Sequence, residues 1–256
     1  MRFKSLGSGS AGNATLVESG GSQPARLLID CGLGIRQLQF RLAQARLQTS
    51  DIDAVFITHE HGDHIGCAHS LCLRHRIPVW MSRGTYAAIG EPDFDGLLRI
   101  AHDGETVAVD GFELRPFTVP HDAREPLQLS CSDGAGKLGV LTDLGHATAH
   151  VLEQIQGCDA LVLECNHDVD MLTQSIYPPF LKRRVGGDYG HLSNTAAAAI
   201  AGAVMHQGLK HLVAAHLSAQ NNQADIVRAL LAETILCSTN QIVIATQDEG
   251  TAWLEI

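Results

Sequence analysis

Phe56-Ile57-Thr58-His59-Glu60-His61-Gly62-Asp63-His64-Ile65-Gly66 is the stretch that decides how this chain folds. Five residues able to ligate a metal (His59, Glu60, His61, Asp63 and His64) fall within six positions, directly after an apolar run. A loop leaving a strand end can turn His59 and His61 toward one point and Asp63 and His64 toward another. Imidazole nitrogen and carboxylate oxygen suit zinc, manganese or iron, and the absence of thiolate from the segment argues against a structural zinc site. The helical H-E-x-x-H arrangement is excluded, because it needs two histidines one helical turn apart with a glutamate between them. Here His61 and His64 are three apart, and Gly62 disfavours a helix.

Further along the chain, similar short apolar runs recur at 27–29, 79–81, 139–141, 161–163 and 212–214. They read as buried strands, several of whose exits carry polar residues. Helical spacing covers 38–47 and is broken by Thr49-Ser50-Asp51. A second, alanine-rich helix is expected over 194–207, with Ser193 or Asn194 as N-cap and Gly208 as stop. Residues 105–141 look like a meander of strands. Strands and helices mixed in this way favour a layered sandwich.

A chain of 256 residues, 45% apolar, is ample for a sizeable core. It has no apolar stretch long enough to span a bilayer, and no apolar run follows the basic residues at its start, so a cytoplasmic protein without membrane partners is expected. The seven cysteines form no CxxC pair and read as small reduced hydrophobes. A net charge of −10 argues against a whole-surface nucleic-acid binder. Two divalent ions, however, would add about four positive charges where a phosphate would sit.

Thr58-His59-Glu60-His61-Gly62-Asp63-His64-Ile65-Gly66 resembles the HxHxDH signature of the metallo-β-lactamase superfamily, and later landmarks follow in the same order. Leu27-Leu28-Ile29-Asp30-Cys31-Gly32 is similar to the family's early strand-and-aspartate motif, with Asp30 supporting the metal loop. His121, Asp143 and His216 stand at the positions of the remaining ligands. The resemblance implies an α+β four-layer αββα sandwich, with residues 1–256 forming one domain. It also implies two divalent metal ions, zinc or manganese with iron compatible. One would be held by His59, His61, His121 and Asp143, the other by Asp63, His64, Asp143 and His216.

The superfamily carries many chemistries, so the substrate must be sought elsewhere. Leu163-Glu164-Cys165-Asn166-His167-Asp168, followed by Gly190-His191-Leu192-Ser193-Asn194, resembles the ribonuclease Z arrangement. That likeness implies that His191 donates a proton to the leaving group, with Glu164 behind it. The opening Ser8-Gly9-Ser10-Ala11-Gly12-Asn13 has small residues that let backbone approach an anion. Together with Tyr177-Pro178, Lys182-Arg183-Arg184, His216-Leu217-Ser218 and Asn221-Asn222, these segments resemble the YycJ/WalJ group, bacterial proteins regarded as DNA exonucleases. Ser8, Ser10, Asn13, Lys182, Arg183 and Arg184 are the expected phosphate contacts. Asp143 and His216 stand 73 positions apart, which leaves no room between them for the inserted β-CASP domain of related nucleases.

The expected activity is therefore that of a metal-dependent phosphodiesterase, a DNA exonuclease using a hydroxide held by both metals. Asp63 would also orient the attacking water. Two alternatives stay open. One is a small-molecule hydrolase for a thioester, lactone or cyclic nucleotide on the same site; the other is a non-catalytic metal-binding protein. Edge strands could also pair two copies into a homodimer. His69, His75, His102, His150, His206 and His211 are expected at structural positions, and His146 and His167 beside the site loops.

Overall fold

Alternation of apolar side chains along short strands builds the layers. The computed structural model describes residues 1–256 apart from the side chain of Asn240. Its first sheet is formed by β1 (Arg2–Gly7), β2 (Ala14–Glu18), β3 (Arg26–Ile29), β4 (Ala54–Phe56), β5 (Val79–Met81) and β6 (Leu98–Ile100), paired in that order. The second contains β7 (Val107–Val109), β8 (Phe112–Thr118), β9 (Leu127–Ser132), β10 (Lys137–Leu141), β11 (Ala160–Glu164), β12 (His211–Ala215) and β13 (Ile242–Ile244), again in sequence order. The last strand, β14 (Leu254–Glu255), pairs antiparallel with β1. β7 to β10 form the expected antiparallel meander, whereas β3 to β6 and β10 to β13 run parallel.

The helices are α1 (Ile35–Gln44), α2 (Gly62–Ile65), α3 (Ala68–His75), α4 (Arg83–Ala88), α5 (Ala149–Ile155), α6 (Val169–Gln174), α7 (Pro179–Val185), α8 (Asn194–Val204) and α9 (Ala224–Thr234). Leu27, Ile29, Ala54 and Phe56 pack between the sheets against Leu129, Val140, Val162 and Val213. Their neighbours Leu28, Val55 and Ile57 pack on the other side with Leu38 and Leu42 of α1 and Leu71 of α3. On the far side of the second sheet, Leu161, Leu163 and Leu212 meet Val151 of α5, Ile200 of α8 and Leu231 of α9. Helix, sheet, sheet and helix thus give the αββα sandwich. Each fully buried Leu, Ile or Val stabilises it by roughly 1.5–3 kcal/mol relative to exposure. Among the described residues, no helix is long and apolar enough to cross a membrane.

Three local expectations shift. α1 begins at Ile35 and ends at Gln44, and Thr49–Asp51 forms a turn of 3-10 helix rather than a plain break. α8 is capped by Ser193, whose hydroxyl accepts from Ala196 N, but it stops at Val204, because Met205 turns to an extended conformation. Gly62 does not prevent a helix. It opens the single turn α2 directly after His61, where an extended residue caps the turn, and Gly66 ends it.

Candidate metal centre

β3, β4, β8, β10, β11 and β12 all end at one rim. Asp30 follows β3, His59 lies three residues beyond β4, and His121 three beyond β8. Asp143 follows β10 by two, Glu164 ends β11, and His216 follows β12. Asp30, Asp143 and His216 take positive φ values of 62°, 54° and 54°. Such turns cost on the order of 1–3 kcal/mol each and persist where surrounding structure fixes them.

Two clusters of ligand atoms result. In the first, His61 Nδ1 is 3.1 Å from His59 Nε2 and 3.3 Å from His121 Nε2. In the second, Asp63 Oδ2 is 3.6 Å from His64 Nε2 and 3.5 Å from His216 Nε2. Asp143 Oδ2, 3.0 Å from His64 Nε2, groups with both His59 and His64 and so joins the clusters. A tetrahedral ion with donors about 2.0–2.1 Å away holds them about 3.3 Å apart, which matches this spacing. Glu60 points elsewhere, its carboxylate accepting from Arg124 N at 2.7 Å.

Partners outside the clusters set how the rings face. His64 Nδ1 donates to Asp30 at 2.8 Å, His121 Nδ1 to the Gly190 carbonyl at 3.1 Å, and His216 Nδ1 to Glu164 at 2.9 Å. His59 Nδ1 is 3.0 Å from the Thr58 hydroxyl, which itself donates to Asp30. Each contact leaves Nε2 turned inward, where its lone pair can meet a metal once any proton on it has been displaced. Among the described residues, Asp143 Oδ2 and His216 Nε2 are buried without a hydrogen-bond partner. An unsatisfied buried polar atom costs about 1–3 kcal/mol. Two such atoms in a nitrogen-and-oxygen donor set fit a divalent cation.

The field in the second cluster favours positive charge. Burial opposes protonation of His216, but Asp143, Asp63 and Glu164 outweigh it and lift the ring to about 10. His64 is likewise raised against its burial by Asp143 and Asp30. Burial keeps His59 and His121 below the ordinary histidine value, hence neutral. Burial would raise Asp143, yet His216 and His64 hold it well below the usual carboxylate range. Metal uptake near neutral pH should therefore expel protons from His64 and His216, and apparent affinity should rise about tenfold per pH unit for each displaced proton. For His216 that rise continues until pH approaches about 10. Calorimetric metal titration in buffers of differing ionisation enthalpy checks this, and a heat independent of buffer would contradict it.

Glu164 is fully buried and accepts four hydrogen bonds. Its Oε1 takes His191 Nδ1 at 2.8 Å and His216 Nδ1 at 2.9 Å, and its Oε2 takes Leu144 N and Leu192 N, both at 3.1 Å. Burial would raise its pKa, but His191 and His216 hold it at about 2. Burial lowers and Glu164 and Asp143 raise the pKa of His191, for a net increase that favours a proton on its ring. Glu164 therefore serves two histidines, one inside a ligand cluster and one beside it. Only the second follows from the resemblance described above.

The remaining candidates divide. The Ser8 hydroxyl accepts from His216 N at 2.8 Å, and the Asn13 amide lies 3.3 Å from Asp63 Oδ2 and 3.1 Å from His64 Nε2, so both side chains serve the ligand loops. Ser10 is exposed. In α7, Lys182 donates to the Thr173 carbonyl at 2.6 Å, and Arg184 pairs with Asp122 at 2.6 Å. Asp122 Oδ1 is in turn 3.5 Å from His121 Nε2. Arg183 forms no ion pair among the described residues. Asp122 drew no expectation from sequence, although its place directly after His121 was a usable signal. Asn166, whose amide donates to the His216 carbonyl at 3.0 Å, offered none.

Backbone crowding holds the loops together. A Cβ on Gly32 would lie 1.7 Å from the Asp63 carbonyl oxygen and 2.8 Å from Asn13 N. Gly32→Ala should therefore displace Asp63, costing about 1–3 kcal/mol of stability through overpacking and weakening metal binding about 10–100-fold. Thermal melts and chelator competition measure both. Wild-type metal affinity in this variant would show that the contact is unimportant.

A sequence profile described as the β-lactamase superfamily domain matches residues 25–217, which include every residue of the two clusters. The chain belongs to the metallo-β-lactamase superfamily. Its relatives include the Bacillus anthracis protein named exodeoxyribonuclease YycJ, 34% identical over 239 residues covering 92% of this chain and 89% of that one. The Streptococcus pneumoniae protein named exodeoxyribonuclease WalJ is 29% identical over 227 residues, covering 87% and 83%. Among solved structures, the metallo-β-lactamase fold protein YhfI of Bacillus subtilis superposes with a TM-score of 0.76 at 18% identity, covering 99% of each chain. The protein is thus a metal-dependent hydrolase of the metallo-β-lactamase fold.

Proposed function

We propose that the protein is a nuclease that hydrolyses DNA phosphodiesters from a chain end with two divalent ions, zinc or manganese. His59, His61, His121 and Asp143 would hold one, and Asp63, His64, Asp143 and His216 the other. When bound, such ions act as Lewis acids that acidify a water and neutralise charge on phosphoryl oxygens. The observation that carries the reading is His191 beside this centre, backed by Glu164 at 2.8 Å. A sugar alkoxide is a poor leaving group and needs a proton as its bond to phosphorus breaks, whereas a thiolate does not. The names of the YycJ and WalJ relatives point the same way.

The protein's own groups divide the work. Asp63, whose side chain is 24% exposed against 2% for Asp143, faces the open side and can orient a water for in-line attack. His191 hands a proton to the departing oxygen. Glu164 keeps both His191 and His216 in register and touches neither water nor phosphate. The test is a panel of substrates given to metal-loaded protein: an aryl phosphodiester, a cyclic nucleotide, a thioester, a lactone and short DNA. Turnover of DNA and the aryl diester is expected. Turnover confined to the thioester or lactone would overturn the reading in favour of a small-molecule hydrolase.

A further inference from the structure

A cavity of about 400 Å³ opens beside His191, between α6, α7 and the start of α8. Its volume falls in the range of sites that enclose small ligands. Val169, Leu172 and Ala196 give it apolar walls, and Thr173 and Ser193 add hydroxyls. Lys182 and Arg183 line it from α7. His167 also lines it, at only 4% exposure, and its Nδ1 is buried with no hydrogen-bond partner. Burial keeps this ring neutral. A buried orphan acceptor is tolerated better than an orphan donor, so the ring's proton belongs on Nε2. That atom makes no hydrogen bond among the described residues. It faces Gly186, where an added Cβ would stand 3.9 Å away and Leu172 and Lys182 3.4 Å away. A polar donor is thus aimed into a lined space that the ligand clusters do not use.

We propose that this cavity receives the nucleotide that departs during cleavage, with His167 Nε2 donating to its base or sugar and Arg183 meeting its phosphate. The inference rests on the nuclease reading above. Because His191 lines the cavity and protonates the leaving oxygen, whatever carries that oxygen must extend into the same space. The apolar walls suit the faces of a base or the carbons of a sugar. The uncommitted Arg183 supplies charge complementary to a phosphate.

The test uses metal-loaded full-length protein, with deoxynucleoside monophosphates (5′ and 3′ isomers) and inorganic phosphate as inhibitors of aryl-diester turnover. Inorganic phosphate reports the metal centre alone, so the ratio of the two inhibition constants isolates the cavity. In the wild type a nucleotide should inhibit at least about tenfold more tightly than phosphate. His167→Phe, Arg183→Ala and Gly186→Ala should each reduce that ratio about 3–10-fold, the scale of one hydrogen bond. His167→Gln, which keeps a donor, should restore most of it. Gly186 has φ −90° and its added methyl meets nothing closer than 3.4 Å, so that variant should fold. A ratio near one in the wild type, or one that none of the variants changes, overturns the inference while continued aryl-diester turnover leaves the nuclease reading intact. Absence of all diester turnover in the wild type removes both.

Discussion

Asp143→Ala should remain folded while losing phosphodiester turnover by more than about 10³-fold, the scale of removing a preorganised electrostatic group. Asp143 is 2% exposed, and its Oδ2 lies 3.0 Å from His64 Nε2 without a hydrogen bond to satisfy it. Its removal deletes the carboxylate that joins the two ligand clusters. The fold should survive, because the substitution removes a buried carboxylate and lets His64 and His216, whose protons it favours, become neutral. Against that gain, alanine at a φ of 54° is less comfortable than aspartate. Circular dichroism and melting separate the two effects, and metal analysis shows whether one ion or both are lost. A folded variant with wild-type turnover would refute a bridging role.

His191→Ala should separate substrates by leaving group. DNA cleavage should fall about 10²–10⁴-fold, the range of general acid catalysis. Cleavage of a p-nitrophenyl diester should fall far less, since that phenolate departs unaided. Because Glu164 and Asp143 raise the pKa of His191, its acid form persists above the ordinary histidine range. Wild-type DNA cleavage should therefore decline only as pH rises past that raised value, and this alkaline limb should vanish in the variant. Equal losses on both substrates would instead assign His191 a structural task, such as holding Glu164 for His216.

Much of this candidate centre could be read from the sequence because the residues that could ligate a metal follow strands directly. A strand exit fixes where a side chain emerges, so His59, His61, Asp63 and His64 converge once β4 is placed, and His216 does so through β12. The layers were legible for a related reason: runs such as Leu27-Leu28-Ile29 are apolar on both faces because both faces are covered. What escaped was set by tertiary geometry. Aspartate and histidine tolerate the positive φ of Asp30, Asp143 and His216 better than most residues but do not dictate it, and the sharing of Glu164 between His191 and His216 leaves no mark in residue type. Small residues around Ser8 and Asn13 let backbone approach an anion, but residue type does not reveal that the two side chains are engaged by His216, Asp63 and His64. The three adjacent cations of α7 read as one patch, although a short helix sends Lys182 to the Thr173 carbonyl and Arg184 to Asp122 and leaves Arg183 lining the neighbouring cavity.

The most direct measurement is cleavage of end-labelled duplex DNA, single-stranded DNA and RNA by metal-reconstituted protein, with Asp63→Ala alongside. A two-metal exonuclease predicts stepwise shortening of DNA that requires added metal, stops with chelator and is absent from the Asp63→Ala protein. Intact DNA with both metals bound, or equal shortening by the Asp63→Ala protein, would contradict it.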